Sequence, residues 1–267
     1  MASFLLITLQ GVIIMDEKII DYYNKLNEEK RLFMDYNHTV EYITNMAYIK
    51  NIIKKNSKVL DICAGSGNYS FKLAKSGHEV TAGGFVENQI DILEEKQKNN
   101  AILSEICKIQ PTDLSKFNDN YFDLVLCIGP FYILNKEECE IALIEALRVL
   151  KPSGCVVISY INKNAVCLKT ISDNLKNIDD VMNIYNNKLY KDIFKLYNPS
   201  EIESLLSGFR VTIVNHFGSD GIGYRIPTMV NESNKEDYNK WLKYHLATCE
   251  DKNILGYSLH GTIIIRK

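Results

Sequence analysis

The sequence predicts an α/β fold: a mostly parallel sheet with helices on both faces. Three observations predict it. Between Lys58 and Ile161, short and nearly all-apolar runs alternate with helix-like stretches, the pattern of strands buried on both faces and joined by crossover helices. The first of these runs ends in Ala64-Gly65-Ser66-Gly67-Asn68, a tight turn that opens a helix. The chain has 267 residues, of which 46% are apolar and 24% charged, the usage of an ordinary globular protein long enough for one large domain.

Met1 to Ile14 reads MASFLLITLQGVII, with no basic start and an apolar run broken by Thr8, Gln10 and Gly11. Neither a signal peptide nor a membrane span is expected there. Gln10-Gly11-Val12 can be encoded by a bacterial ribosome-binding sequence just ahead of the Met15 codon. Lysine outnumbers arginine and Ile and Asn are abundant, as in an AT-rich bacterial genome. The expectation is that Met15 is the natural start and residues 1–14 an upstream extension.

Residues 15–56 read as a helical N-terminal cap. Ile19, Ile20, Tyr23 and Leu26 recur near helical spacing, and a second helix is expected over 39–55, ended by Asn56-Ser57. The domain proper is expected over 57–267. Strands are predicted at 58–63, 79–82, 104–109, 122–128 and 155–161. Helices are predicted at 69–75, closed by Gly77, at 87–98, and at 136–150, stopped by Lys151-Pro152-Ser153-Gly154. The regularity then lapses into a polar, helical excursion over about 162–208, a sixth strand at 209–217, a second helical excursion over about 228–252, and a seventh strand at 257–266.

The formal charge of −2, from 31 basic and 33 acidic residues, gives no excess to drive binding to nucleic acid or to an anionic membrane. Cysteines stand at 63, 107, 127, 139, 155, 167 and 249, an odd count without C-x-x-C spacing, several inside apolar runs. Buried, reduced thiols in a cytoplasmic protein are expected. His, Cys, Asp and Glu are not spaced as metal ligands.

The most informative segment is Val59-Leu60-Asp61-Ile62-Cys63-Ala64-Gly65-Ser66-Gly67-Asn68-Tyr69. Gly65 and Gly67 let the chain turn sharply and let a ligand approach the backbone. A dinucleotide site asks for a third glycine where Ser70 stands, and a carboxylate at Asp61 repels a diphosphate. Asp61 suits a ligand with an ammonium group and no phosphates, such as S-adenosylmethionine. The ordinary alternative is a carboxylate that only organises its own loop.

Here the sequence resembles the class I S-adenosylmethionine-dependent methyltransferases, and the segments Ile128-Gly129-Pro130-Phe131-Tyr132 and Tyr244 to Glu250 carry a second resemblance, to a bacterial type 11-like branch. The first resemblance rests on 59–69, then Gly77-His78-Glu79-Val80-Thr81-Ala82, Phe122-Asp123-Leu124-Val125-Leu126-Cys127 and Glu145-Ala146-Leu147-Arg148-Val149-Leu150-Lys151-Pro152-Ser153-Gly154. It implies a Rossmann-like sheet of seven strands, with helical insertions after strands 5 and 6, and S-adenosyl-L-methionine as cofactor. By position, Asp61, Ala64, Gly65 and Gly67 would hold the methionine moiety and Tyr69 would pack on the ligand. Ile128-Gly129 would line its other side, Gly84-Phe85 would stand at the ribose, and Gln110 or Asp113 at the adenine.

Two positions depart from the family pattern. Gly84 stands where a ribose-binding acid is usual, and Gln110 where a second acid is. A lost charge-assisted hydrogen bond costs about 1.5–3 kcal/mol. Binding is therefore expected to be weak, or Glu87 or a cap residue substitutes, or the pocket holds a modified cofactor or none. A non-catalytic or regulatory binding protein is the second reading.

Methyl transfer from a sulfonium is an in-line displacement in which alignment supplies much of the rate, so no conspicuous catalytic group is required. Tyr132 and His245 are the catalytic candidates, with Tyr36, His38, His216 and Glu250 behind them. Tyr22, Tyr23 and Tyr36 could line a lid, the ordinary alternative being helix packing against the sheet, and Arg225 could bind a carboxylate acceptor, the ordinary alternative being a solvated arginine. The excursions fall where such sheets bind ligands, so a small-molecule acceptor is expected, with no nucleic-acid or membrane partner.

Overall fold

A computed structural model describes residues 17–25, 28–99 and 101–267. The expected extension 1–14 lies outside them, as do Met15 and Leu26.

The cap comprises α1 (Glu17–Lys25), α2 (Glu28–Arg31) and α3 (Tyr36–Ile52). Asp35 caps α3 by accepting from the His38 N–H. The regular part runs β1 (Lys58–Asp61), α4 (Asn68–Lys75), β2 (Glu79–Gly84), α5 (Glu87–Asn99), β3 (Glu105–Lys108), β4 (Phe122–Cys127), α6 (Lys136–Val149) and β5 (Leu150–Asn162). The first excursion holds α7 (Lys163–Asp173), α8 (Ile178–Asn187), β6 (Leu189–Tyr190), β7 (Phe194–Tyr197) and α9 (Pro199–Leu206). After β8 (Thr212–Gly218) come α10 (Pro227–Asn231), α11 (Lys235–Thr248) and α12 (Lys252–Leu255), and β9 (His260–Arg266) ends the sheet.

Strands β3, β2, β1, β4 and β5 lie side by side and parallel, with Val59 opposite Val80 on one edge of β1 and Leu124 on the other. β9 pairs antiparallel with β5, and β8 antiparallel with β9. These seven strands form the expected Rossmann-like α/β sheet. The expectation of an all-helical first excursion is corrected. β6 and β7 form a small antiparallel hairpin, and β7 pairs parallel with β5 at Ile161 and Asn162. The hairpin turn has positive φ at Lys191 and Asp192, so it lacks the Asn-Gly or Asp-Gly signature by which such turns are read.

Alternate residues of the strands feed two cores. Leu60, Val125 and Val156 face α6 and α9 through Ala142, Ala146, Ile202 and Leu206. Val59, Val80, Leu124 and Val157 face α3, α4 and α5 through Ile49, Leu73 and Leu93. A two-residue period on a sheet covered on both sides accounts for the near-continuous apolar strands. All seven cysteines are unpaired. Among the described residues no helix is long and apolar enough to cross a membrane.

The antiparallel placement of β9 decides what reaches the edge at the carboxyl ends of the parallel strands. Its first residue, His260, pairs with Ile161 near the end of β5. β8 runs in the direction of β5, so Asp220, two residues past its end, arrives at the same edge.

Candidate functional site

A cavity of about 690 Å³ opens at the carboxyl ends of β1 and β4, where the strand order reverses. One end is lined by the β1 loop (Asp61, Ala64, Gly65), Tyr69, Phe85 and Ile128. The other is lined from the cap, the excursions and the start of β9.

The loop is built on backbone. Gly65 (φ +55°) lines the cavity, and a Cβ there would meet nothing within 4 Å in the protein. Gly67 (φ +81°) caps α4 with a left-handed turn, and a Cβ there would stand 2.6 Å from Leu93 and 2.7 Å from Phe71. Gly67 is therefore a packing residue behind the loop; it does not line the cavity. Ala64 and Tyr69 do line it. The Tyr69 hydroxyl accepts from Asn45 Nδ2 at 3.0 Å, and Asn45 Oδ1 accepts from Thr262 at 2.9 Å. These bonds tie α4, α3 and β9 together behind the cavity wall.

Asp61 is 2% exposed yet lines the cavity. Its Oδ2 accepts from the Ser70 hydroxyl at 2.6 Å. Burial pushes its carboxyl up to about 7, and the Ser70 bond only partly opposes this. Ser70 stands at the third glycine position of a dinucleotide loop and here orients a carboxylate. A buried acid that ionises at a cost, open to a cavity, is matched by a cationic group. The site thus fits the ammonium and sulfonium of S-adenosylmethionine. Cys63 also lines the cavity, and burial and the nearby Asp61 push its thiol well above the usual range, which disfavours the thiolate.

At the end of β2, Gly84 offers no side chain. Glu87 points away, pairing with Lys108 on the surface. Gln89, two residues further along α5, is buried and lines the cavity. The sequence reading missed it; its signal was a polar residue one position before the buried Ile90 of α5. Phe85 lines the cavity.

Gln110 and Asp113 are not among the cavity residues. They bridge one another across a tight turn, and Asp113 accepts from the Ser115 N–H at 3.0 Å. Bonds from Ser115 hold the Asp113 carboxyl below its usual range against the effect of burial. In this structure Asp113 closes its own turn.

Of the catalytic candidates, Tyr132 lines the cavity, and its hydroxyl lies beside Ser159 without a well-formed hydrogen bond. His245 does not line it. Its ring is buried against Trp241, and its Nε2 meets Thr44 Oγ1 at 3.0 Å. Burial pushes its pKa down, so it is a neutral core histidine. His216 is likewise buried between Tyr160 and Glu203. Glu250 accepts from Tyr48, and Tyr36 stacks on Tyr238, both away from the cavity. Tyr22, His38 and Arg225 line it; the Tyr23 side chain lies outside those described. Among the described residues no cluster of His, Cys, Asp and Glu could hold a metal.

The sequence reading missed a buried polar cluster at the far end: His260, Asp220 and Glu41, all lining the cavity. His260 Nδ1 lies 2.7 Å from Asp220 Oδ2 and 3.7 Å from Glu41 Oε2. Glu41 also accepts from Arg31 at 3.2 Å, and its Oε1 is buried without a partner among the described residues. Burial disfavours a charged His260, but Glu41 and Asp220 outweigh it and raise its pKa. Burial likewise works against the Asp220 carboxylate, but His260 and Ser258 hold its pKa down.

The family described as "Methyltransferase domain" matches residues 59–154. A demethylmenaquinone methyltransferase of Staphylococcus aureus is 30% identical over 199 residues, which span 67% of this chain and 76% of that protein. One from Staphylococcus carnosus is 39% identical over 122 residues, 44% of this chain and 45% of that protein. A crystal structure of an S-adenosylmethionine-dependent methyltransferase from Methanosarcina mazei shares the fold, with a TM-score of 0.58 at 19% identity, covering 82% of this chain and 96% of that one.

Proposed function

The chain belongs to the class I S-adenosylmethionine-dependent methyltransferases, and from that premise we propose that it methylates a small aromatic molecule within the cavity described above. The observation that carries this reading is the division of the cavity. At one end Asp61, Ala64 and Gly65 suit the cationic amino-acid part of the cofactor, with Gln89 in the place of the missing ribose acid. At the other, Tyr22, Tyr132, Tyr190, Phe194 and Tyr224 offer ring faces and edges to a flat acceptor. The Staphylococcus relatives are named for demethylmenaquinone, a quinone, which agrees with an aromatic acceptor.

Bound S-adenosylmethionine supplies a methyl group on a positively charged sulfur, already activated for displacement. The protein's part is to orient and to exclude water. Asp61 holds the ammonium, the backbone at Gly65 admits close approach, Tyr69 packs beside the loop, and Ile128-Gly129 closes the opposite wall. The test pairs calorimetric binding of S-adenosylmethionine and S-adenosylhomocysteine with transfer of labelled methyl to 1,4-naphthohydroquinone and to simple phenols. Binding of both nucleosides with methylated ring product is expected. Saturable binding with label passing only to protein or nucleic acid would overturn the small-acceptor reading.

A further inference from the structure

We propose that His260, held in place by Asp220, is the base that takes the proton from a ring hydroxyl of the acceptor, so that the methyl group goes to oxygen. This rests on the small-aromatic-acceptor reading and adds to it the class of acceptor group and the residue that prepares it.

The geometry of the cluster carries the assignment. Asp220 is an ionised acceptor, so the hydrogen of the 2.7 Å contact belongs to His260 Nδ1, and the lone pair of the neutral ring is on Nε2. The polar contacts of the ring with Asp220 and Glu41 are both made at Nδ1, which leaves Nε2 for a ligand, and His260 lines the cavity. Asp220 is fixed in turn. Its Oδ1 accepts from the His260 backbone N–H at 3.0 Å and from the Ser258 hydroxyl at 2.6 Å. The backbone of His260 belongs to β9 and pairs with β5, so the ring stands on a rigid element. Removal of an acceptor proton is the step for which a buried histidine braced by a carboxylate is suited.

The groups facing His260 favour its protonated form. Asp220 comes from the loop after β8 and Glu41 from α3, with Arg31 of α2 opposing them and the Tyr132 ring 5.7 Å away. A proton arriving on Nε2 is therefore stabilised by two carboxylates, while the tyrosines beside it favour a flat acceptor. In the step, the acceptor O–H bond breaks and its proton passes to Nε2. The freed oxygen pair forms the bond to the methyl carbon, and the carbon–sulfur bond breaks with its electrons left on sulfur. The imidazolium then gives its proton to solvent.

The test uses 4-nitrophenol, whose ionisation is visible in its absorbance, bound to the full-length protein in the presence of S-adenosylhomocysteine below the midpoint of the free phenol. In the native protein we expect the phenolate band, with carbon-13-labelled His260 moving to its imidazolium position by NMR. His260→Gln should bind the phenol protonated and lose about a hundredfold or more of methyl transfer to 4-nitrophenol and to 1,4-naphthohydroquinone, with affinity for S-adenosylhomocysteine unchanged. Asp220→Asn should move the His260 titration to lower pH and reduce the phenolate fraction, a readout that a merely structural role would leave in place. Should His260→Gln not fold, the native NMR titration and Asp220→Asn decide. Equal phenolate fraction and turnover in native and variant proteins would overturn the base. So would a native complex that binds the phenol only in its protonated form, or transfer to amines but never to ring hydroxyls. Failure of native protein to bind S-adenosylhomocysteine would instead sink the methyltransferase site itself.

Discussion

The two ends of the cavity are made differently. At the end formed by β1, most of the lining comes from one short stretch of chain, seven of the nine residues from Asp61 to Tyr69. At the other end, Arg31, Glu41, Tyr132, Asp220 and His260 arrive from five separate elements, and the surface is side chains. The first end needs only a local turn and one braced carboxylate to form. The second exists only when cap, excursions and an antiparallel last strand are all in place. On the proposed reading, cofactor binding falls to the contiguous end and acceptor choice to the assembled one.

Removing the one charge of the contiguous end should have the largest effect. Asp61→Asn is expected to weaken S-adenosylmethionine binding by about 1.5–3 kcal/mol, or roughly ten- to a hundredfold. The pH dependence should change with it. Asp61 is raised from 3.8 to about 7, so the folded protein holds a proton across that window which the unfolded chain has lost, and stability falls as pH rises through it. A cationic ligand binds the ionised form, so affinity in the native protein should climb up to about pH 7 and then level. In the variant both slopes should vanish. Calorimetry across that range and thermal melts check the two slopes; a pH-independent native affinity would separate Asp61 from the cofactor.

How much of each end was legible follows from the same difference. The turn at 61–69 was read from sequence because its glycines, its apolar strand and its helix are neighbours in the chain. The seven strands were legible for the same local reason. The far end was not. His260 looks like any polar residue ahead of Thr262-Ile263-Ile264-Ile265 until β9 is known to run antiparallel, which alone brings its start to the ligand edge. Glu41 lies inside a helix whose buried face mixes Val40, Thr44 and Asn45 with apolar residues, so no apolar stripe singles it out. His245 was chosen for its residue type, and tertiary packing put it in the core. The hairpin at β6–β7 escaped because its alternation is four residues long and its turn is made without glycine.

A middle-sized effect comes from restoring what the contiguous end lacks. A Cβ at Gly84 meets only Ile90, with Cδ1 at 3.3 Å, the tip of a flexible side chain, so Gly84→Asp should be accommodated. It should tighten S-adenosylmethionine binding by about tenfold or more for each ribose hydrogen bond gained. Gln89→Ala in the native background should loosen it by about 0.5–1.5 kcal/mol. In the Gly84→Asp background the loss should be smaller, because the new carboxylate and the Gln89 amide then compete for the same hydroxyls. Additive changes in the double variant, measured by calorimetry, would place Gln89 away from the ribose.

The smallest expected effect on catalysis sharpens the contrast between two buried histidines. His245→Gln should leave kcat and KM for methyl transfer unchanged within about twofold, since the ring faces Trp241 and Thr44 and not the cavity. Its cost should fall on the fold, at about 0.5–1.5 kcal/mol for the lost bond, or a drop in Tm of about 2–4 °C per kcal/mol. The pH signs of the two histidines are opposite. His245 has its pKa lowered by burial, so native stability from this residue falls as pH drops below about 6.5, where the unfolded chain takes up a proton that the fold refuses. His260 has its pKa raised by its carboxylates, so its contribution is complete below about 6.5 and is lost as pH rises through the raised value. Melting curves across neutral pH should therefore lose their acid-side slope in His245→Gln and their alkaline-side slope in His260→Gln. Loss of transfer in His245→Gln at full stability would show that the core histidine, and with it the second excursion, belongs to the acceptor end after all.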